Sequence, residues 1–392
     1  MDAPQMQSLG QSVRDSFGDL PDPRGAQRRH PLLNIVTIAL IAVIAGADDC
    51  TEFEQYGLAR RAWLETFLDL SQGIPSHDTF SRTFSLLDPT HWQSCFVDWV
   101  RFALGGQLEP GDTIALDGKC LRGAGEQAVY LVNAWSTAQG LCLAQTQAAE
   151  KSDEITALPV LLETLSLFDL QGCTVTVDAM GTQREVARSI VAGQADYLMA
   201  LKDNQLSLAE DVRWLFTQYR DAGRPDRCRF AQDARGQLRG LEHAETRATQ
   251  HGREEHRQAW IIPDRAYLAP HAWPGLQAVV CLQSQRMMRG KTTLEQRFFL
   301  SSASITAQSA LERIRVHWEV ENKLHWVLDV LFKEDRHRAR IGNGPANLGV
   351  LRQLALNLLR RAPHPPKITS LKGKRKRAAW DTSFLEQVLA LL

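Results

Sequence analysis

The chain has no cysteine spacing that could staple a fold or hold a zinc ion. Its seven cysteines (Cys50, Cys95, Cys120, Cys142, Cys173, Cys228 and Cys281) are scattered, odd in number and never in a C-x-x-C pair. That excludes a disulfide framework and a zinc ribbon, and makes a reducing cytosol the default compartment. The N-terminus, MDAPQMQSLGQSVRDSF, lacks the apolar core of a signal peptide. No membrane partner is expected either, because a span needs roughly 20 apolar residues. The nearest approach, Leu32 to Ala47, is shorter, holds Asn34 and Thr37, ends at Asp48 and Asp49, and reads as a buried core helix. Short-period repeats are absent, and so is net charge, with 45 basic residues against 45 acidic ones.

The zero sum hides an uneven distribution. Between Arg336 and Trp380 there is no Asp or Glu, while twelve Lys and Arg residues fall there, among them Lys374, Arg375, Lys376 and Arg377. Alone, such a run reads equally well as a solvated tail; beside a carboxylate site it favours phosphate contact. An apolar share of 44% with 23% charged residues over 392 positions is that of a soluble globular chain of two or three domains.

Apolar periods at 32–45, 53–70 and 92–104, broken by PDPRG and QGIPSHDTF, predict a helical N-terminal domain over residues 1–105. Short helices joined by tight turns fit a DNA-binding module and equally a plain bundle. From Asp112 the texture changes to strands: TIALD, AVYLVNAWS and GLCLAQTQA, then a helix at 154–168, strand CTVTVDA, helix REVARSIVAG and strand DYLMALK. Three strands, helix, strand, helix, strand is the ribonuclease H-like plan, whose first and fourth strands carry active-site acids. The expected fold is therefore α/β, with a ribonuclease H-like catalytic core over 110–205 and 299–360. A β-rich insertion over 206–298 interrupts it, with strands at HAETRATQ, RQAWIIP, LQAVVCLQSQR and EQRFFLSS. Residues 361–392 read as a basic C-terminal tail, and Arg247, Arg253 and Arg257 give the insertion a texture that mildly favours DNA.

Three acids stand out: Asp117 in TIALDGK, Asp178 in TVTVDAM and Glu321 in RVHWEVENKLHWVLDV. The aspartates each end an apolar strand, where the last side chain can leave the sheet, and the glutamate has a helix as its platform. Several carboxylates gathered in one place repel each other and titrate upward unless a cation joins them, which points to a two-metal site. All-oxygen ligands suit Mg²⁺. His317, Glu321, His325 and Asp329 recur every four residues, so His317, Glu321 and His325 could instead hold one zinc ion. Glu334 and Asp335 are rivals for the third acid, beside Arg336 and Arg338, where ion pairing is the plainer explanation.

At these motifs the chain resembles the H-repeat-associated branch of bacterial insertion-sequence DDE transposases, over nearly its full length. The resemblance rests on DPRGAQRRHPL, GIPSHDTFSRTF, ALDGKCLRGA, EKSDEITALPVLL, TVDAMGTQ, DYLMALKDNQ and the helix HWxxENxLHWxLDVxFxED. It implies a DNA-cleaving and strand-joining enzyme with Asp117, Asp178 and Glu321 as catalytic triad and metal ligands. The cofactor implied is two Mg²⁺ ions, with Mn²⁺ able to substitute. The partners implied are double-stranded DNA at terminal inverted repeats and a target site, engaged by a homodimer in a bacterial, nucleoid-associated setting. A nuclease of the same fold without strand transfer, or an inactive, domesticated DNA-binding protein, are the alternatives. Where the wider class has Tyr, Arg and Lys around the glutamate, this chain has Ile314, His317 and Leu328, so no phosphate contact is carried over from those three. Cys120 and Thr182 stand where Thr and Cys are expected, away from metal binding. Lys119, Arg122 and Lys202 are candidate phosphate contacts near the acids, with a plain surface role the equal alternative for each. Arg24, Arg28 and Arg29 are expected at the terminal repeat, and Lys374, Arg375, Lys376 and Arg377 at sequence-independent phosphates. His325 and Trp326 are candidates to buttress Glu321, with core packing the plainer reading of Trp326.

Overall fold

The computed structural model describes residues 3–25, 28–124, 129–148, 154–221, 242–250, 253–262 and 266–392. Six helices come first: α1 (Ala3–Phe17), α2 (Leu32–Ala45), α3 (Cys50–Ala59), α4 (Arg61–Leu64), α5 (His77–Leu86) and α6 (Pro89–Ala103). Local sequence explains their ends. Asp49, Ser76 and Asp88 accept backbone N–H bonds from Glu52, Thr79 and Thr90 at the starts of α3, α5 and α6. Gly46, at φ 117°, closes α2 by turning its N–H back to the Ala42 and Val43 carbonyls, a conformation that costs glycine little. Being apolar on every face, α2 must be enclosed, and all of it except Leu33 and Ala45 is buried. Among the described residues no single helix is long and apolar enough to cross a membrane.

The strands β1 (Thr113–Leu121), β2 (Val129–Ser136) and β3 (Leu141–Ala148) form an antiparallel meander. Helix α7 (Glu154–Leu165), β4 (Thr174–Val177), α8 (Arg184–Ala192) and β5 (Asp196–Leu201) come next, with β4 parallel to both β1 and β5. After α9 (Leu206–Asp221) come β6 (Glu242–Gln250), β7 (Arg253–Ile262), β8 (Ala278–Met288) and β9 (Lys291–Ser301). All four expected strands of the insertion are present, but they do not form a sheet of their own. β9 pairs with β5, Leu198 opposite Ser301 and Leu201 opposite Phe298, giving one nine-stranded sheet in the order β3-β2-β1-β4-β5-β9-β8-β7-β6. Alternation along a strand says which residues share a face and nothing about the neighbouring strand, so this join was invisible in the sequence.

Helix α10 (Ala307–His317) lies on the extended sheet, packing Ala310, Leu311 and Ile314 on Leu198, Ile261, Val280 and Phe299. A short π-helical stretch, Val320–His325, leads into α11 (Trp326–Leu331). Helix α12 (Gly344–Arg361) is buried from Gly344 to Leu359 and packs on α2, α5, α6 and β3. One hydrophobic cluster consequently runs from Leu9 through the sheet to Leu392, so the N-terminal helices share their core with the strands.

The expected basic tail is a second correction. Residues after 361 form α13 (Leu371–Trp380) and α14 (Thr382–Leu389), both packed into that cluster. Lys374 is buried, its ammonium donating to the carbonyls of Leu359 at 3.0 Å and Ala362 at 2.5 Å, at the end of α12. Arg375 does the same for α2, donating to the carbonyls of Val43 and Ala47 at 3.1 Å each and to Leu331. The last carbonyls of a helix have no partner within it and carry partial negative charge, so a buried cation there satisfies both needs.

Candidate active site

The pairing of β1 with β4 decides where the aspartates stand. Thr113 lies opposite Thr174 and Leu116 opposite Val177, where the ladder stops. Asp117 and Asp178 are therefore the next residues of two adjacent parallel strands, at the carboxyl edge where open sheets of this kind place ligands. β1 continues, paired with β2 and with Asp117 opposite Asn133, whereas the chain leaves β4 at Asp178. Asp178 is exposed and accepts a hydrogen bond from the Gly181 N–H at 3.1 Å, and Thr182 ties the turn by donating to the carbonyls of Asp178 and Ala200.

Glu321 reaches the same edge from the π-helical stretch. An α-helix that widens for one turn inserts an extra residue and re-aims the side chains beyond it, and such turns recur at functional sites. Asp117, Asp178, Glu321, His317, Lys202 and Arg297 all line one cavity of about 300 Å³. At its edge, carboxylate oxygens of Asp117 and Glu321 and a ring nitrogen of the buried His325 lie within 4.8 Å of one another, a group able to hold a metal ion. His325 Nδ1 is 3.6 Å from Asp117 and 3.5 Å from Glu321. Asp178 faces the cavity without belonging to that tight group.

The electrostatics favour an anionic site. The His325 ring beside Glu321 holds its carboxyl below the ordinary range. His317 is pushed down to about 4 by burial, although Asp178 and Glu321 pull the other way, and its Nδ1 pairs with Thr176 Oγ1 at 2.8 Å. At neutral pH it adds no positive charge to the cavity. His317 thus flanks the acids while His325 joins them, and a shared His317, Glu321 and His325 zinc site is not what the geometry assembles.

The expected cations divide. Lys202 is exposed at the rim. Lys119 is not available to DNA: it is buried, with its ammonium 2.5 Å from Asp329 and 2.6 Å from Glu334. That pair also disposes of Glu334 as a rival third acid. Asp335 sits 3.8 Å from Arg122, which is otherwise exposed. Arg24 is folded onto Asp22 and the His30 carbonyl, while Arg28 and Arg29 are exposed and share a groove of about 670 Å³ with Arg82 of α5. Arg253 and Arg257 converge with Arg286 on Glu255, which absorbs much of their charge. Trp326, expected in the core, is 57% exposed.

Arg297 was missed by sequence reasoning. It enters the cavity only because β9 pairs with β5, and its guanidinium lies 5.5 Å above the Trp318 ring. The strand EQRFFLSS carried the residue in plain view but gave no sign of its neighbour.

Two strand-end aspartates and a helical glutamate thus line one cavity, and the family models place the chain among DDE-domain transposases. Residues 80–358 match the family model described as "Transposase DDE domain", and residues 14–100 match "DDE_Tnp_1-associated". The chain belongs to this family, in its H-repeat-associated branch. It is 33% identical to "Putative transposase YncI" of Escherichia coli O157:H7 over 97% of this chain and 95% of that one. It is 32% identical to "H repeat-associated putative transposase YhhI" of Escherichia coli K12 over 95% and 96%. A solved structure, a piggyBac transposase synaptic complex with hairpin DNA, overlays at a TM-score of 0.42 with 10% identity, over 97% of this chain and 78% of that one.

Proposed function

We propose that this chain cuts DNA at the ends of an insertion sequence and joins the freed 3′ ends to target DNA, using a ribonuclease H-like core. The observation that carries the reading is the register of β1 and β4, which sets Asp117 and Asp178 side by side at the rim of the cavity that Glu321 closes. The donor set fits hard divalent cations: Asp117 and Glu321 are already gathered, and Asp178 faces them across the cavity. Mg²⁺, or Mn²⁺ in its place, bound there in a pair would polarise the scissile phosphate and make water a competent nucleophile near neutral pH.

The chain's own residues do the rest. Asp117 and Glu321 would hold such cations, with Asp178 completing the donor set. His317, kept neutral by burial, leaves the negative charge of the acids undiminished. Lys202, and Arg297 on exchanging its two-point pair with Glu295 for substrate, take the phosphates flanking the cut, offsetting charge that builds on the phosphorus oxygens during in-line displacement. Arg28 and Arg29 meet double-stranded terminal repeat DNA from the groove before α5, and two copies of the chain hold the two ends together.

Asp117→Asn is expected to lose cleavage of a labelled terminal-repeat duplex by about a thousandfold or more, while binding that duplex almost as wild type does. Joining of the labelled 3′ end to a plasmid distinguishes a transposase from a nuclease of the same fold. Cleavage retained by Asp117→Asn in Mg²⁺ or Mn²⁺ sinks the metal assignment, and cutting without joining sinks strand transfer.

A further inference from the structure

Behind the acid cluster runs a line of buried polar side chains that the proposed chemistry does not by itself require. His325 Nε2 is 3.2 Å from the Asn133 side-chain nitrogen, Gln353 Nε2 is 2.5 Å from Asn133 Oδ1, and Cys142 Sγ is 3.2 Å from Gln353 Oε1. All four residues are at least nine-tenths buried, between 0% and 3% exposed. They come from four elements: the π-helical stretch, β2, α12 and β3. Asn357, one helical turn beyond Gln353, clamps both backbone groups of Cys142, accepting from its N–H and donating to its carbonyl. The frame is thus fixed at its far end as well.

Donors and acceptors along this line can be ordered. Burial raises the Cys142 thiol well above its ordinary value, so the sulfur keeps its hydrogen and is a donor. Its acceptors are Gln353 Oε1 at 3.2 Å and the Ala144 carbonyl at 3.4 Å, and with Gln353 Oε1 turned to the thiol the Gln353 amide nitrogen donates to Asn133 Oδ1. The Asn133 nitrogen must then donate to His325 Nε2, which can accept only as a bare ring nitrogen. The ring hydrogen is left on Nδ1, the atom that faces Asp117 and Glu321 at nearly equal distances. The line ends at the carboxyl groups of Asp117 and Glu321.

We propose that His325 is a positioning residue and not a metal ligand: the Cys142–Gln353–Asn133 line holds its Nδ1–H toward Asp117 and Glu321, whose carboxylates lie 3.6 Å and 3.5 Å away. This deepens the reading of the acid cavity given above and rests on it. A ring nitrogen that carries hydrogen has no lone pair for a cation. What it offers is a donor between two like-charged groups, which offsets their repulsion before metal arrives and keeps them on the same side of the cavity. The outer partners of metal-site residues fix tautomer and orientation in this way, and removing them commonly costs about 10–100-fold in metal affinity or activity.

The test reads the ring directly. In the full-length protein labelled with ¹⁵N-histidine, the His325 signals, assigned by their loss in His325→Asn, are expected to show hydrogen on Nδ1 and none on Nε2. The same pattern is expected after saturation with Mg²⁺. Hydrogen on Nε2 without metal, or loss of the Nδ1 hydrogen on adding Mg²⁺, overturns the proposal, because the ring would then be free to ligate. Gln353→Leu breaks the line two links from the acids; it is expected to weaken the Nδ1–H preference and Mg²⁺ affinity by about 10–100-fold. Cys142→Ser, which keeps a donor, is expected to retain both. Unchanged spectra and Mg²⁺ binding in a folded Gln353→Leu also overturn the proposal. The spectra are read without DNA, so a failure of the Asp117→Asn cleavage test is distinguishable from a failure here.

Discussion

The strand-end acids and the basic stretch after Arg336 behave in opposite ways. Asp117, Asp178 and Glu321 are far apart in the chain, yet all line one solvent-reached cavity. The cations of the stretch are crowded together in sequence, yet Lys374 and Arg375 turn inward onto helix-end carbonyls and Arg352 is buried within α12. Charge density along a chain is therefore a poor guide to charge density on a surface. An acid that ends a strand has its exit dictated by the sheet edge, whereas an exposed-looking cation on a helix faces wherever the helix is packed.

The largest effect that could break this contrast is on the acid side. Asp178→Asn is expected to cost about a thousandfold in cleavage with no change in melting temperature, since asparagine can still accept the Gly181 N–H bond. If cleavage survives, the chemistry contracts to the tight Asp117, Glu321 and His325 group, and Asp178 becomes only a turn residue.

On the basic side the reverse is expected. Arg375→Ala removes the guanidinium donor from the carbonyls of Val43, Ala47 and Leu331 and takes away a partner 3.3 Å from Asp48. Asp48 keeps Lys333, so the cost is that of removing a charged donor from buried carbonyls, about 1–3 kcal/mol, readable as a lower midpoint in urea. A variant as stable as wild type, with weaker DNA binding, would restore the solvated tail and overturn the packed arrangement.

Most of the strand plan was legible because the runs alternate or stay apolar and are separated by Gly and polar turns. The core helix α2 was legible because nothing polar enough interrupts it. Three things were not, and each is a matter of long-range partnership. The β5–β9 ladder depends on backbone pairing between segments about a hundred residues apart. The π-turn at 320–325 breaks the four-residue stripe from His317 to Asp329, and no residue type marks it. Lys119 looked like a phosphate ligand beside Asp117 because its buried acceptors, Asp329 and Glu334, lie more than two hundred residues away.

Acid should expose a further difference between the two regions. Burial holds His317 near 4 and, with Arg352 beside it, holds His337 near 3, against an ordinary 6.5. A histidine depressed on folding binds hydrogen ion better when unfolded, so its stabilising contribution is complete above about 6.5 and is lost as pH falls toward the folded value. Between pH 7 and 5 each is expected to cost about 2 kcal/mol, measured by urea unfolding with a chelator present. His317→Gln should remove its share from the slope. A slope unchanged by that substitution would mean that the ring is not held neutral beside the acids.

The smallest effect belongs to the cations that do face outward. Lys376 is exposed one residue after the buried Arg375, with its ammonium 5.9 Å from the Trp380 ring. If the stretch touches DNA at all, it does so through Lys376 and its exposed neighbours Lys372 and Arg377, not through the two buried cations. Neutralising one phosphate contact lowers the slope of log affinity against log salt by about 0.9. Lys376→Ala is therefore expected to leave stability untouched and to reduce that slope by roughly one unit, equally for terminal-repeat and unrelated duplexes, because a phosphate carries no sequence information. A loss confined to the repeat would make this face a reader of sequence, and no change on either duplex would remove the C-terminal helices from the DNA surface altogether.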